Sequence, residues 1–201
     1  MKRLALLIAA LLATDAMAAD AGAPTQWRAI ATDTDRQRLS EWRDAWLEAL
    51  EKVRATPDAA KLSADAVLFD PDRAIDAPMP KAGDYRCRVV KLGAKGPANL
   101  DYVAYPWFTC RVGAGDAPVT FEKTGGSQRQ IGRLYPASGN RAVFLGTLAL
   151  GDERSAITYG RDDGRNVAGW LERIGPSRWR LVMPRPQFES IIDVMEIVPA
   201  R

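Results

Sequence analysis

The part of the chain after Gly83 consists of short apolar runs separated by turn residues such as Gly125-Gly126-Ser127 and Gly175-Pro176-Ser177. This spacing predicts strands over residues 84–92, 104–113, 117–124, 128–135, 141–150, 166–174, 178–184 and 190–198. Because most connections are short, neighbouring strands should pair antiparallel. About eight such strands predict a small meander barrel, which leaves no free sheet edge, with a β-sandwich as the alternative.

Residues 33–55 have the pattern of an amphipathic helix. Apolar side chains recur there at steps of three and four, at Leu39, Trp42, Trp46, Leu50 and Val53. Either Thr32 or Thr34 can cap its start, and Thr56-Pro57 ends it, with a shorter helix possible through 60–68. Residues 69–83 are rich in Pro and Asp and indicate a connector. The predicted fold class is therefore α+β, mostly β.

The predicted strand over residues 141–150 carries apolar side chains on both faces, among them Val143 and Phe144. A strand that is wet on one side should alternate. We therefore expect the helix with Trp42 and Trp46 to pack on its outer face. The alternative is that this segment is itself a helix, which its Val, Phe and Thr content and central Gly146 disfavour.

The amino terminus has the pattern of a signal peptide. Lys2 and Arg3 precede the apolar run 4–13, and Ala16-Met17-Ala18 places small residues where a signal peptidase reads them. A membrane anchor is the alternative, but a run of this length is too short to span a bilayer. We predict cleavage after Ala18, export to the periplasm or medium, and no membrane span. The predicted organisation is a signal peptide over 1–18, a helical segment and connector over 19–82, and a barrel over 83–199.

The chain holds two cysteines, Cys87 and Cys110, each within a predicted strand. Cys87 shares a strand face with Tyr85, and Cys110 shares one with Phe108, so both thiols should point into a core. In an oxidising compartment two such cysteines most often pair. We predict a structural disulfide; a redox-active or free thiol pair is the alternative.

Composition narrows the possible chemistry. The chain has no histidine, which removes Ser-His-Asp and Cys-His catalysis and most zinc sites. Its 28 basic and 25 acidic residues are interspersed, so no concentrated basic face for nucleic acid is expected. We predict no enzymatic activity, no metal site, no cofactor and no nucleic-acid partner. A carboxylate pair or a lysine-based mechanism stays formally open, although no spacing indicates one.

If the barrel has a small-ligand site, we expect it at a mouth where cationic and aromatic groups converge. The residues named for this role are Tyr85, Arg129, Tyr159, Arg161 and Trp170. Arginine can hold a carboxylate or phosphate with two hydrogen bonds, while Tyr and Trp offer rigid contact area. The alternatives are surface arginines that cover apolar neighbours and aromatics that fill the core.

Several segments resemble successive blocks of a family of secreted bacterial proteins known only as a domain of unknown function. They include GDYRCRVVKLG, GSQRQIGRLYP and AGWLERIGPSRWRLVMPRPQFES, and the resemblance runs from Trp27 to Pro199. It implies no activity. The predicted architecture is also similar to that of periplasmic inhibitors of secreted metalloproteases, small barrels with one disulfide, but no inhibitory motif matches, and fold likeness alone does not establish function.

Two functions from different classes are consistent with these observations. The first is a non-catalytic binding protein for a small amphipathic or anionic ligand or for an envelope protein. The second is an inhibitor of a secreted or periplasmic hydrolase. A hollow barrel interior would favour the first.

Overall fold

The structure, a computed structural model, describes residues 26–200. Its strands form one antiparallel sheet that closes on itself, because β1 pairs with both β3 and β9. The strands are β1 (Gly83–Ala94), β2 (Tyr102–Ala104), β3 (Phe108–Val112), β4 (Val119–Lys123), β5 (Gln128–Pro136), β6 (Arg141–Leu150), β7 (Asn166–Gly175), β8 (Arg178–Pro184) and β9 (Ser190–Pro199). The predicted mostly β, antiparallel barrel with helices on its outside is confirmed. The predicted signal peptide lies outside the described residues.

The predicted strand over residues 104–113 is divided into β2 and β3. Both pair with β1, at opposite halves of its length. Tyr105-Pro106-Trp107 separates them, and Pro106 has no N–H to continue the ladder. The barrel wall is therefore formed by β1 and β3 to β9, with β2 as a short addition along the second half of β1.

The predicted helix over residues 33–55 is two helices that join at Glu41. The helices of the described chain are α1 (Gln26–Ile30), α2 (Asp33–Ser40), α3 (Trp42–Arg54), α4 (Ala59–Ala64) and α5 (Ala66–Phe69). Thr32 caps α2 by accepting a hydrogen bond from the backbone N–H of Asp35. The axis breaks because α2 packs on β7, whereas α3 packs on β1, β8 and β9. None of the described helices is long and apolar enough to cross a membrane.

The expected cover for the strand at 141–150 is present, but a different part of the helical segment supplies it. Leu39 of α2, with Trp27 and Ala31, packs against Val143 and Leu145 on the outer face of β6. Trp46 instead belongs to a cluster with α4, α5 and the outer faces of β1, β8 and β9. The prediction that Trp46 covers residues 141–150 is wrong, since the break at Glu41 turns α3 toward another side of the barrel.

The barrel interior is largely filled by apolar side chains, namely Tyr85, Cys87, Val89, Cys110, Val112, Phe121, Leu134, Ala142, Phe144, Leu171, Trp179, Leu181, Met183, Met195 and Ile197. The predicted disulfide is confirmed: Cys87 and Cys110 are bonded inside this core, with Cα atoms 5.9 Å apart on β1 and β3. Phe121 and Phe144 meet edge to face, with ring centroids 5.9 Å apart.

Candidate functional site

Tyr85, the first residue predicted for a ligand site, lies inside the barrel. It is buried and packs edge to face on Trp179, with 5.9 Å between ring centroids, and its hydroxyl donates to the backbone oxygen of Lys81 at 2.7 Å. Burial raises the pKa of Tyr85. It stands at the start of β1, where the connector reaches the barrel, and it fills the core there.

Tyr159 and Trp170 lie outside the barrel, beneath the first helices. The hydroxyl of Tyr159 donates to Oδ2 of Asp35 at 2.6 Å, and the indole N–H of Trp170 donates to the backbone oxygen of Leu39 at 3.0 Å. Burial, together with the hydrogen bond to Asp35, raises the pKa of Tyr159. Both aromatic side chains therefore fasten α2 to the wall.

The two predicted arginines are also outside. Arg129 donates from its guanidinium to the backbone oxygen of Glu153 at 2.7 Å, and Arg161 is exposed in the segment between β6 and β7. The structure thus does not bring the five side chains together, because strand alternation fixes the face of a residue but not the end of the barrel. Whether any of them contacts a ligand stays a prediction.

Buried polar side chains gather instead at one end of the barrel interior. They come from the carboxyl ends of β1 and β4 and the amino ends of β5 and β9, which meet at one mouth. Each of these residues is at most 5 % exposed. We call this group the polar cup and define it as Lys91, Lys123, Gln130, Ser190 and Asp193.

Strand alternation explains how an apolar interior ends in a polar cup. Lys91 comes two residues after Val89, and Lys123 comes two after Phe121, so each lysine shares the inward face of its apolar neighbour. Asp193 lies opposite Lys91 across β1 and β9. Lys123 therefore follows directly on the apolar core, to which Phe121 belongs.

Lys91 contacts two carboxylates that differ in their surroundings. Its Nζ lies 3.0 Å from Asp193 Oδ2 and 3.4 Å from Glu189 Oε2. The side chain of Asp193 is 6 % exposed and also accepts a hydrogen bond from Ser190, whereas that of Glu189 is 45 % exposed. Burial alone would lower the pKa of Lys91, but Asp193 and then Glu189 more than offset this and raise it. Burial, against the opposing effect of Lys91, raises the pKa of Asp193.

Lys123 forms no ion pair among the described residues. Its Nζ donates to the backbone oxygens of Gly125 at 2.6 Å and Gln128 at 2.8 Å, and it lies 4.0 Å from the ring centroid of Phe108. Burial, with a smaller contribution from Arg129, lowers the pKa of Lys123 to about 8. The cup thus contains a cation whose charge no neighbouring carboxylate balances.

Gln130 carries an unused hydrogen-bond acceptor. The residue is 4 % exposed, and its Oε1 is buried without a hydrogen-bond partner. A buried polar atom left unpaired costs roughly 1–3 kcal/mol. A donor from outside the protein, either a water or a ligand group, can satisfy this atom.

The space in the cup is small. A cavity of about 80 Å³ lies there, and a smaller hollow of about 30 Å³ next to it shares Lys91, Gln128 and Gln130 in its lining. The larger one is lined by Val89, Lys91, Tyr105, Phe108, Lys123, Ser127, Gln128 and Gln130. Pockets for whole drug-sized ligands usually measure roughly 300–1,000 Å³. The cup can therefore take a head group of a few atoms, with the remainder of a ligand outside.

The arrangement offers charge and hydrogen bonds. The described residues contain no group of three Cys, Asp or Glu side chains placed to hold a metal ion. Sequence reasoning missed the cup, although a signal existed: the inward face that carries Tyr85, Cys87 and Val89 continues to Lys91.

Comparison with known proteins finds a family whose description names no function. A family model described as "Domain of unknown function (DUF4893)" matches residues 27–197. No curated protein and no solved structure matches the chain. The expected resemblance to a family of unknown function is thereby confirmed, while the likeness to metalloprotease inhibitors stays a prediction.

Proposed function

We infer the function from the polar cup, because the chain belongs to the family described as a domain of unknown function (DUF4893), a description that names no activity. We propose that it is a non-catalytic binding protein of the periplasm or medium. Its polar cup receives the anionic head group of a small amphipathic ligand, whose apolar part stays at the barrel mouth.

The observation that carries this proposal is the unused binding capacity of the cup. Lys123 has no carboxylate partner among the described residues, and Gln130 Oε1 has no donor. Burying Gln130 Oε1 without a donor costs free energy, and the hydrogen bonds of Lys123 to backbone oxygens leave its charge without a counter-ion. A ligand that supplies an anion and a donor would satisfy both.

The proposed compartment is supported by the cysteines and by the first residues. The buried disulfide between Cys87 and Cys110 suits an oxidising environment. The residues before position 19 carry the charged start, apolar run and small-residue site of an export signal. The absence of histidine from the whole sequence supports a non-catalytic role.

The alternative, an inhibitor of a secreted hydrolase, has no specific support among the described loops. An inhibitor needs a segment that enters the active site of its target. A binding protein needs only the cup, which the described residues contain.

The test is isothermal titration calorimetry of the mature chain with three ligands that share a decyl chain or its equivalent: decanoate, decanol and decyltrimethylammonium. We expect decanoate alone to bind. Lys123→Met should weaken decanoate binding by about tenfold or more, since it removes a cation that lines the cavity beside Lys91. Gln130→Leu should not weaken it, because decanoate has no donor for Gln130 Oε1. Both substitutions keep a buried side chain of similar size.

Arg133→Met is the matched control, because it removes an exposed cation from the outward face of β5. Its affinity for decanoate should equal that of the wild type. Equal binding of all three ligands, or equal losses in Arg133→Met and Lys123→Met, would contradict the proposed site.

A further inference from the structure

The rim of the polar cup carries a carboxylate of the protein itself, that of Glu189, beside Lys91. Glu189 Oε2 lies 3.4 Å from Lys91 Nζ, farther than Asp193 Oδ2 at 3.0 Å. The side chain of Glu189 is 45 % exposed, so water can replace its contact with Lys91 at little cost. Asp193 is buried and bonded to Ser190, which makes it a permanent partner. Glu189 is therefore the exchangeable one.

The backbone around Glu189 is held in an unusual conformation at this position. Glu189 has φ +66° and Arg185, at the other end of the same loop, has φ +48°, values that residues other than glycine rarely adopt. The backbone oxygen of Glu189 accepts hydrogen bonds from Lys95 N at 2.9 Å and Asn99 Nδ2 at 3.1 Å. These bonds fix the backbone, while the carboxylate remains able to move away from Lys91.

The acceptor of Gln130 adds a second requirement. Lys91 and Gln130 line the same two adjoining hollows, so a ligand that enters them meets both side chains. Lys91 can pair with a carboxylate from a ligand in place of Glu189, whereas Gln130 Oε1 requires an N–H or O–H donor. A simple carboxylate such as decanoate satisfies only the first requirement.

We propose that the head group is an α-amido carboxylate, as found at the carboxyl terminus of a peptide or in an N-acyl amino acid. Its carboxylate replaces that of Glu189 at Lys91, and its amide N–H donates to Gln130 Oε1. This proposal rests on the proposed function, since it names the ligand class of the same cup. The two sources share this chemistry and differ in the chain attached to the amide carbonyl, which is a peptide in one and an acyl chain in the other.

The amide is tested with three small probes in calorimetric titrations of the mature chain. N-acetylglycine carries the carboxylate and the N–H, N-acetylsarcosine lacks the N–H, and N-acetylglycinamide lacks the charge. We expect N-acetylglycine to bind about tenfold more tightly than N-acetylsarcosine, and N-acetylglycinamide not to bind. In Gln130→Leu the first two probes should bind equally.

The exchange at Lys91 is tested with Glu189→Gln. This change removes the competing carboxylate, so N-acetylglycine should bind up to about fivefold more tightly. Glu48→Gln is the matched control: Glu48 has a side chain 44 % exposed and holds the same loop through Arg185 at 2.6 Å, away from Lys91. Its affinity should not change. Equal gains in both variants would show that loosening the loop, and not exchange of the carboxylate, is responsible.

The outcomes separate this inference from the proposed function. If decanoate binds and N-acetylglycine binds no better than N-acetylsarcosine, the amide requirement is overturned and the anion-binding cup remains. If no carboxylate binds, both proposals fall. A free-ended tetrapeptide that binds more tightly than N-decanoylglycine identifies peptide termini as the ligand, and the reverse order identifies N-acyl amino acids.

Discussion

Lys123 occupies a position where its charged form is costly. It is 3 % exposed, and its hydrogen bonds go to backbone oxygens at 2.6 and 2.8 Å. Burial lowers its pKa from 10.5 to about 8. The unfolded chain therefore holds this proton more tightly than the folded chain between these two pH values. The group opposes folding below pH 8, and the opposition disappears as the pH rises to 10.5.

We predict that the free energy of unfolding of the wild type rises relative to that of Lys123→Met by about 3 kcal/mol between about pH 7.5 and 10.5. Urea unfolding at a series of pH values measures this difference, in which the tyrosines common to both proteins cancel. Lys61→Met is the control, because Asp58 raises the pKa of the exposed Lys61. The difference in free energy of unfolding between the wild type and this variant should therefore not rise over the same pH range. A pH-independent difference for Lys123→Met would contradict the prediction.

At the residue scale, strand alternation in the sequence indicates which side chains point into the barrel, but not which hydrogen bonds and ion pairs they form. The inward position of Lys91 is predicted by its parity with Val89, and that of Asp193 is predicted in the same way by Met195. Arg180 could not be placed. Its alternation with Trp179 puts it on the outward face of β8. It is nevertheless fully buried there beneath the helices, where its Nε donates to Glu172 at 2.7 Å. Burial of that kind depends on a helix from a distant part of the chain.

At the scale of elements, the strand boundaries other than those of residues 104–113 were predicted closely, because turn residues mark them. The predicted strands 141–150 and 178–184 coincide with β6 and β8. The helical region was predicted less well. The apolar spacing of residues 33–55 continues through Glu41, so the break between α2 and α3 has no sequence signal. The curvature of the barrel imposes it, since α2 and α3 cover different strands.

Trp46 is the largest fully buried side chain of α3. Its side chain is fully buried, and its indole N–H donates to the backbone oxygen of Phe69 at 3.1 Å. We predict that Trp46→Ala lowers the free energy of unfolding by about 3–5 kcal/mol, measured by urea unfolding. Leu47→Ala, at the neighbouring position that is 45 % exposed, should stay within about 0.5 kcal/mol of the wild type. Equal effects would mean that α3 does not dock through Trp46.

At the scale of the whole molecule, the predicted barrel interior proved to be mostly filled. The cause is the size of the inward side chains, such as Phe144 and Trp179, which leave space only where polar residues replace them. The candidate site could not be located from the sequence because its residues come from four strands. Their convergence depends on the stagger of the strands, which alternation alone does not specify.

Export is the prediction that concerns the whole chain. We expect the protein isolated from the periplasm or medium to begin at Ala19, after cleavage behind Ala18. Intact-mass measurement of the unreduced protein determines this, and the same spectrum should show the two-hydrogen deficit of the Cys87–Cys110 bond. Replacing Leu7 by Arg should interrupt the apolar run and retain the chain in the cytoplasm. A secreted form that keeps Met1 would contradict the prediction.

The seam between β1 and β9 affects how such a chain must fold. Cys87 pairs with Ile197 across it, so the strand that closes the barrel is the last of the sheet to become available, whether the chain emerges from a ribosome or a translocation channel. Until then β1 and β8 each present an unpaired edge to other chains. Contacts this distant in sequence also form slowly. The newly made chain therefore passes through an aggregation-prone period, in which a chaperone that shields strand edges would raise the yield of folded protein.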